Sequence, residues 1–547
     1  MERPDKSETV GAPGEASIRA MKVLFAGLTA ALVLSACASS GPQAVGGAGQ
    51  TAPQQTIAPA AEPWVPSSNA GFALVAATAK EVLAARDSTG PATAWQFRFA
   101  VRSEPAAKRH SGDLTITLSE ADYAIIERGG RSEVIDYALA RVFYIDSAAG
   151  TFQSTSLSTA PYFRAAEWAS RGRIAKIVES TGGSTKVLAI TSEFWRSHNI
   201  GLQPPRREAA SPTIRRDGGA LVLVHESEEA ARLEPAEITP PGWAAARFWN
   251  VMRRVYALHP DFIARAEAEQ VFPARLIVVQ RLRAEPQSTD LRLISQGRVD
   301  QSYPLTADLT RVAPSTEHNP RAAGLVATAW KAAKGRFEGE QPDTAYWTER
   351  LEQAERDGRT LEPLLVVLAM GLYTGTQSPG CDGTAELSAN ALCAAVRAAS
   401  DRTRYGAAVN RFMALVGAKD KATKQRAIKE LPSYRADAGA MAPLIDLFIA
   451  NHISDLTRWI TSGGPGRPNR DEAVDLYLSA LQAFPFTKQI YGDIADYYFR
   501  SFDMRMGFYF ADVGRSLPVP TAAPAGSNLD TVSGIEGKLR ADFPEYF

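Results

Sequence analysis

AVDLYLSALQAFPFTKQIYGDIADYY, residues 473–498, sets small and large side chains at intervals that decide how the second half of the chain folds. Ala473, Tyr477, Ala480 and Pro485 follow the spacing A-x3-Y-x2-A-x4-P, in which a helix buries one face and a proline ends it. Tyr491, Ile494, Ala495 and Tyr498 then place large, apolar, small and aromatic side chains along the next helix. Gly507, Ala511, Gly514 and Pro518 supply small residues to a third, with the proline one position early. Small residues let paired helices approach, and large ones fill the groove between pairs.

This spacing resembles the tetratricopeptide repeat, with Tyr477 in the aromatic position of a second helix and Tyr491 opening the next first helix. The resemblance implies an α-solenoid that binds another protein on its concave face. Working outward, apolar residues recur with a period near 3.6 over residues 321–334, 343–356, 361–373, 385–399, 405–416, 421–430, 438–460, 471–483, 487–500, 505–516 and 528–542. The earlier helices do not keep the 34-residue register of the repeat. Gly463-Gly464-Pro465-Gly466-Arg467-Pro468 also lengthens the turn before residue 471. The repeats are therefore degenerate, and an irregular helical domain whose Ala-rich helices share the spacing is the alternative.

Before residue 313 the period is 2. Trp95, Phe97, Phe99 and Val101 alternate with Gln96, Arg98 and Ala100, and Leu114, Ile116 and Leu118 alternate with Thr115 and Thr117. Residues 141–145 and 151–157 read as two more strands, joined by the turn Asp146-Ser147-Ala148-Ala149-Gly150. Residues 220–225, 275–282 and 291–299 are further strands, and helices are expected over 72–86, 161–178, 192–199 and 243–258. His259-Pro260 closes the last of these, because the residue before proline is driven out of the α region. The chain thus reads as an α+β N-terminal domain with a largely antiparallel sheet (70–312), followed by an all-α tetratricopeptide-like solenoid (319–547). Residues 112–157 are faintly similar to the strand-hairpin runs of periplasmic lipid or lipoprotein carriers. That likeness implies an apolar cavity in the sheet; the alternative is that its aromatics fill an ordinary core.

At the other end, Met21-Lys22 precedes the apolar run VLFAGLTAALVL (residues 23–34), too short to span a bilayer and suited to a signal-peptide core. Leu34-Ser35-Ala36-Cys37 resembles the bacterial lipobox, which implies a diacylglyceryl group on Cys37 and cleavage before it; an apolar helix that happens to end in cysteine is the alternative. Glu2, Asp5, Glu8 and Glu15 are foreign to the basic start of a signal peptide, so translation is expected to begin at Met21. Residues 1–36 are then the signal and 37–69 a tether. The stretch 38–61 carries no charge and consists almost wholly of Ala, Gly, Pro, Gln, Ser and Thr. As a coil it reaches roughly 25 to 30 Å. Ala38 is not the Asp that resembles an inner-membrane retention signal. The expectation is a lipid-anchored protein of the bacterial outer membrane, facing the periplasm, with the membrane as one partner and another envelope protein on the helical repeats as a second.

Sixty basic and sixty acidic residues balance, which argues against nucleic acid as a partner. With Cys37 lipidated, the remaining cysteines, Cys381 and Cys393, form an even pair in an oxidising compartment. A disulfide between them and two buried thiols are both open. No H-E-x-x-H, G-x-S-x-G or P-loop motif occurs, His225-Glu226 lacks a second histidine, and no catalytic residue, metal ligand or cofactor is assigned. A noncatalytic envelope scaffold is the expected function. A lipid or lipoprotein carrier is the alternative, with a periplasmic hydrolase third.

Overall fold

The alternation at Trp95–Phe99 continues in both directions to make a 13-residue strand, and a 15-residue strand pairs with it along its full length. In the computed structural model, residues 74–86, 89–104, 110–166, 213–225, 228–237, 240–256, 258–280, 287–316, 319–335, 342–374, 398–399, 401, 406–457, 470–517 and 528–547 are described. The strands among them are β1 (Ala92–Glu104), β2 (His110–Ser119), β3 (Tyr123–Arg128), β4 (Arg131–Asp136), β5 (Arg141–Asp146), β6 (Thr151–Ser156), β7 (Thr213–Asp217), β8 (Ala220–His225), β9 (Glu228–Pro235), β10 (Pro273–Gln280), β11 (Gln287–Gln301) and β12 (Thr310–Arg311). They form a single sheet of order β12-β6-β5-β4-β3-β2-β1-β11-β10-β9-β8-β7. Two meanders therefore meet at the long β1–β11 pair, and only the short edge strand β12 runs parallel to its neighbour.

The helices are α1 (Ala79–Ala84), α2 (Gly242–Val255), α3 (Pro260–Ala268), α4 (Ala322–Ala333), α5 (Thr344–Asp357), α6 (Glu362–Thr374), α7 (Ala407–Val416), α8 (Lys421–Glu430), α9 (Ala442–Thr457), α10 (Arg470–Ala483), α11 (Lys488–Arg500), α12 (Met504–Ser516) and α13 (Asn528–Asp542), with a one-turn helix at Arg435–Ala438 before α9. The α+β reading of the N-terminal part and the helical reading of the C-terminal part both hold.

Several local expectations need correcting. The sequence reading leaves out β3, β4, β7, β9 and the two-residue β12. β3–β4 and β7–β8 each turn on a Gly-Gly pair, Gly129-Gly130 and Gly218-Gly219, all four with positive φ. That backbone matches the twist of a two-residue hairpin, and glycine adopts it without a Cβ penalty. The first helix is also shorter than its apolar spacing implies. Thr78 caps it by accepting from the Glu81 amide while Glu81 reaches back to the Thr78 amide at 2.6 Å, so helix begins only at Ala79. Likewise α2 stops at Val255, where Tyr256 turns extended, and Pro260 opens α3 with His259 as its cap rather than closing α2.

By packing, the chain falls into two units. One comprises residues 61–336, 498–516 and 533–547; the other includes 337–497 and 517–532. In the sheet unit, one face buries Phe97 and Phe99 against Phe248 and Trp249 of α2 and Phe272. The Phe97 ring lies 4.8 Å from Phe248 and 5.8 Å from Phe272. The opposite face at β3–β6 buries Tyr123, Val134, Phe143 and Phe152 under Val82 of α1 and under Tyr303 and Leu305. Asp136 and Arg86 form a buried ion pair there. Tyr303 donates to Asp136 at 2.7 Å, and the Arg86 guanidinium stacks 4.4 Å from the Tyr303 ring centre.

In the helical unit, α9 lies against α10 and α5 against α6. Glu362 at the start of α6 is buried, accepts from the Ala440 amide at 2.9 Å and is paired with Arg359. Lys424 of α8 is buried and paired with Asp455 of α9.

Candidate functional site

The residues that the repeat spacing singles out are placed by α10 and α11. Ala473, Tyr477 and Ala480 of α10 and Tyr491, Ile494 and Ala495 of α11 are all fully buried. Pro485 stands in the turn between the two helices, where its carbonyl accepts the Tyr491 hydroxyl at 2.8 Å. These residues all belong to the helical unit. The division between the units falls inside α11, so Tyr498 belongs to the sheet unit, where its ring stacks on Phe510 of α12 at 5.5 Å. Gly507, Ala511 and Gly514 are buried on α12, Pro518 lies outside the described residues, and a Cβ at Gly507 would collide with the ring of Phe499.

A polar network that the spacing does not reveal locks the α9–α11 trio. The Tyr477 hydroxyl donates to Asn451 Oδ1 at 2.8 Å, and Asn451 Nδ2 donates to Asp493 Oδ2 at 2.8 Å. Gln489 Nε2 completes it by donating to Asp493 Oδ1 at 2.7 Å. Asp493 is almost wholly buried, so these donors keep its carboxylate satisfied away from water. The signal in the sequence is faint, since α11 carries two carboxylates, Asp493 and Asp496, among its aromatic and apolar residues, and nothing local marks which one is buried. Enclosed this way, α11 presents no open face at Tyr491–Ala495 for a partner.

Cys37, Cys381 and Cys393 lie outside the described residues. Among the described residues no group of three His, Cys, Asp or Glu side chains is placed to hold a metal ion. No helix among them is long and apolar enough to cross a membrane. His225 ends β8 opposite Glu228 in the β8–β9 hairpin. His259 accepts the Asp261 amide at 3.1 Å as the cap of α3, and buried His452 donates from Nε2 to the Leu415 carbonyl at 2.9 Å. Both histidines serve local structure.

A collection of shifted groups lies in the sheet unit around β4, β5 and Arg254 at the end of α2. Glu133 of β4 stands opposite Tyr144 of β5. Burial pushes the Glu133 carboxyl above its ordinary value, against the pull of Arg254, Arg505 and Arg128. Burial also raises the phenols of Tyr137 and Tyr144 and lowers the Arg254 guanidinium. Arg505 sits 4.0 Å from the centre of the Tyr144 ring. Such clusters mark active sites often enough to warrant a test of what their members hold. Arg254 donates to the carbonyls of Tyr546 and, at 3.3 Å, Leu157. Asn250 accepts from the Tyr137 hydroxyl at 2.9 Å and donates to the Glu545 carbonyl at 2.5 Å. Both side chains are thus engaged in holding the last residues of the chain.

No known protein family, curated protein or solved structure matches this chain.

Proposed function

We propose that the protein is a lipid-anchored, noncatalytic scaffold of a bacterial outer membrane, facing the periplasm. Cys37 carries the lipid, residues 38–69 form the tether, and degenerate tetratricopeptide-like helices within 319–547 hold another envelope protein. The observation that carries the repeat reading is the joint burial of Ala473, Tyr477, Ala480, Tyr491, Ile494 and Ala495 on consecutive helices, as close helix pairing needs. The enclosure of α11 moves the partner surface to the exposed, charged outer faces of the other helices, such as that of Glu352 and Arg356 on α5. The polar work found for Arg254 and Asn250, which anchor the C-terminal segment, suits a structural protein. The carrier reading is weaker, because Phe97, Phe99, Phe248 and Phe272 pack ring against ring in the centre of the sheet.

Two results in the native host test this. Labelled palmitate enters the wild-type chain and not Cys37→Ala, and a cross-linker applied to intact cells gives one discrete adduct whose yield falls when Glu352 and Arg356 are both reversed in charge. Failure to label removes the anchor, and an adduct pattern unchanged by the reversal removes α5 as the contact.

A further inference from the structure

Arg141, the first residue of β5, and Arg311, the last of β12, flank β6 from its two sides. Both lie over the same face of that strand. The Arg311 guanidinium stacks 5.1 Å from the Phe152 ring centre, and Arg141 Nε donates to Ser154 Oγ at 2.9 Å, two residues further along β6. Both arginines are buried, Arg141 3% and Arg311 8% exposed. Trp330 of α4 is a second ring near Arg311, at 5.9 Å.

Arg311 stands outside the ion pairs of this region. Asp512 of α12 is paired with Arg141 through one oxygen and with Arg515 through the other, the latter at 2.5 Å. Arg515 also holds Glu536 at 2.7 Å, and Glu536 accepts from Ser156 at 2.9 Å. No carboxylate is paired with Arg311 among the described residues. Arg311 spends only Nη2, on the Val75 carbonyl. Arg311 Nε, Arg311 Nη1 and Arg141 Nη2 are buried and have no hydrogen-bond partner among the described residues. Unpaired donors on a buried cation are strongly unfavourable, because the N–H groups lose water and gain nothing.

We propose that the sheet unit binds one small monovalent inorganic anion of the halide class, held by Arg141 Nη2 and by Arg311 Nε and Nη1 over Phe152 and Ser154. The one guanidinium without a carboxylate partner, Arg311, sets the valence. Burial of both arginines, with the Asp512 carboxylate beside them, favours a compact monoanion over a larger or more highly charged oxyanion. Arg311 is driven down to about 9 by its burial and then by its neighbour Arg141, the signature of a cation short of counter-charge. The anion joins β5 and β12 to the Asp512 network of α12.

Crystals of the full chain grown in bromide provide the test, read by anomalous diffraction at the bromine edge and paired with thermal unfolding in sodium chloride against sodium gluconate at equal ionic strength. The expected results are an anomalous peak within hydrogen-bonding distance of Arg141 Nη2 and an Arg311 nitrogen, and a saturable rise in Tm with chloride that gluconate does not give. Arg311→Gln is expected to lose both the peak and the chloride increment; should that variant fail to fold, the wild-type experiments decide alone. The absence of a peak, equal Tm in the two salts, or a peak that survives Arg311→Gln would each overturn the proposal.

Discussion

His452 shows how a single buried side chain couples folding to pH. Burial drives its pKa down to about 4, and Lys424 adds to the push while Asp455 and the Leu415 carbonyl oppose it. In the unfolded chain the ring titrates near its ordinary value of about 6.5. Between those values the unfolded state binds more protons, so stability is complete above about pH 6.5, falls as the pH drops towards 4 and levels off below it. Denaturant titrations at pH 7.5 and 4.5 should show this part of the loss, of order 2 kcal/mol, in the wild type. It should be absent from a His452→Gln variant; an identical pH slope in the two proteins would contradict the assignment. Asp136 makes the opposite kind of prediction. Its partner Arg86 is buried with it, so Asp136→Asn removes the carboxylate of a buried ion pair and should cost about 3–5 kcal/mol in a urea unfolding curve. A loss below about 1 kcal/mol, the value of an exposed pair, would show that water reaches the site.

Elements were legible where local chemistry alone sets them. Helices expected at 421–430 and 528–542 are found as Lys421–Glu430 and Asn528–Asp542, since a 3.6-residue period and cap residues such as Asp420 act within a few positions. Strand β8 has the bounds that its short β-branched run implies. The hairpins β3–β4 and β7–β8 were missed although their Gly-Gly turns are a local signal, because β3, β4 and β7 mix charged with apolar residues. Gly130→Ala should destabilise by about 1 kcal/mol through its positive φ, and Gly130→Asn by less. Equal effects would mean that side-chain bulk, not backbone strain, is at issue. At the junction of α11 and α12 the constraint is contact: Gly507→Ala pushes into the Phe499 ring and should cost about 1–3 kcal/mol in thermal or chemical unfolding. The repeat-packing side chains were readable because burial follows spacing. The Tyr477–Asn451–Asp493 network was not, since nothing local says which of many polar residues meet.

For the whole molecule, the largest departure from a left-to-right reading is that the sheet unit draws on three separate stretches of chain. Arg141 and Asp512 are 371 positions apart and Ser156 and Glu536 are 380 apart. Charges are too evenly scattered along this sequence for such partners to be chosen without the fold. Residues 61–336 produced alone therefore lack the carboxylates that pair Arg141 and bond Ser156, and should be recovered mainly as aggregate. Co-production with residues 498–547 should restore soluble protein, and a soluble, cooperatively unfolding 61–336 fragment would show that α12 and the tail are dispensable. Assembly with a partner on a membrane is the property proposed for the whole molecule. Its most direct test is the mass of the full chain extracted from native membranes in mild detergent, measured by light scattering with intact-mass analysis of the N-terminus. The account predicts a chain beginning at lipid-modified Cys37 in a stoichiometric complex with a second envelope protein; a lone monomer under several gentle extractions, or an unmodified N-terminus, would contradict it.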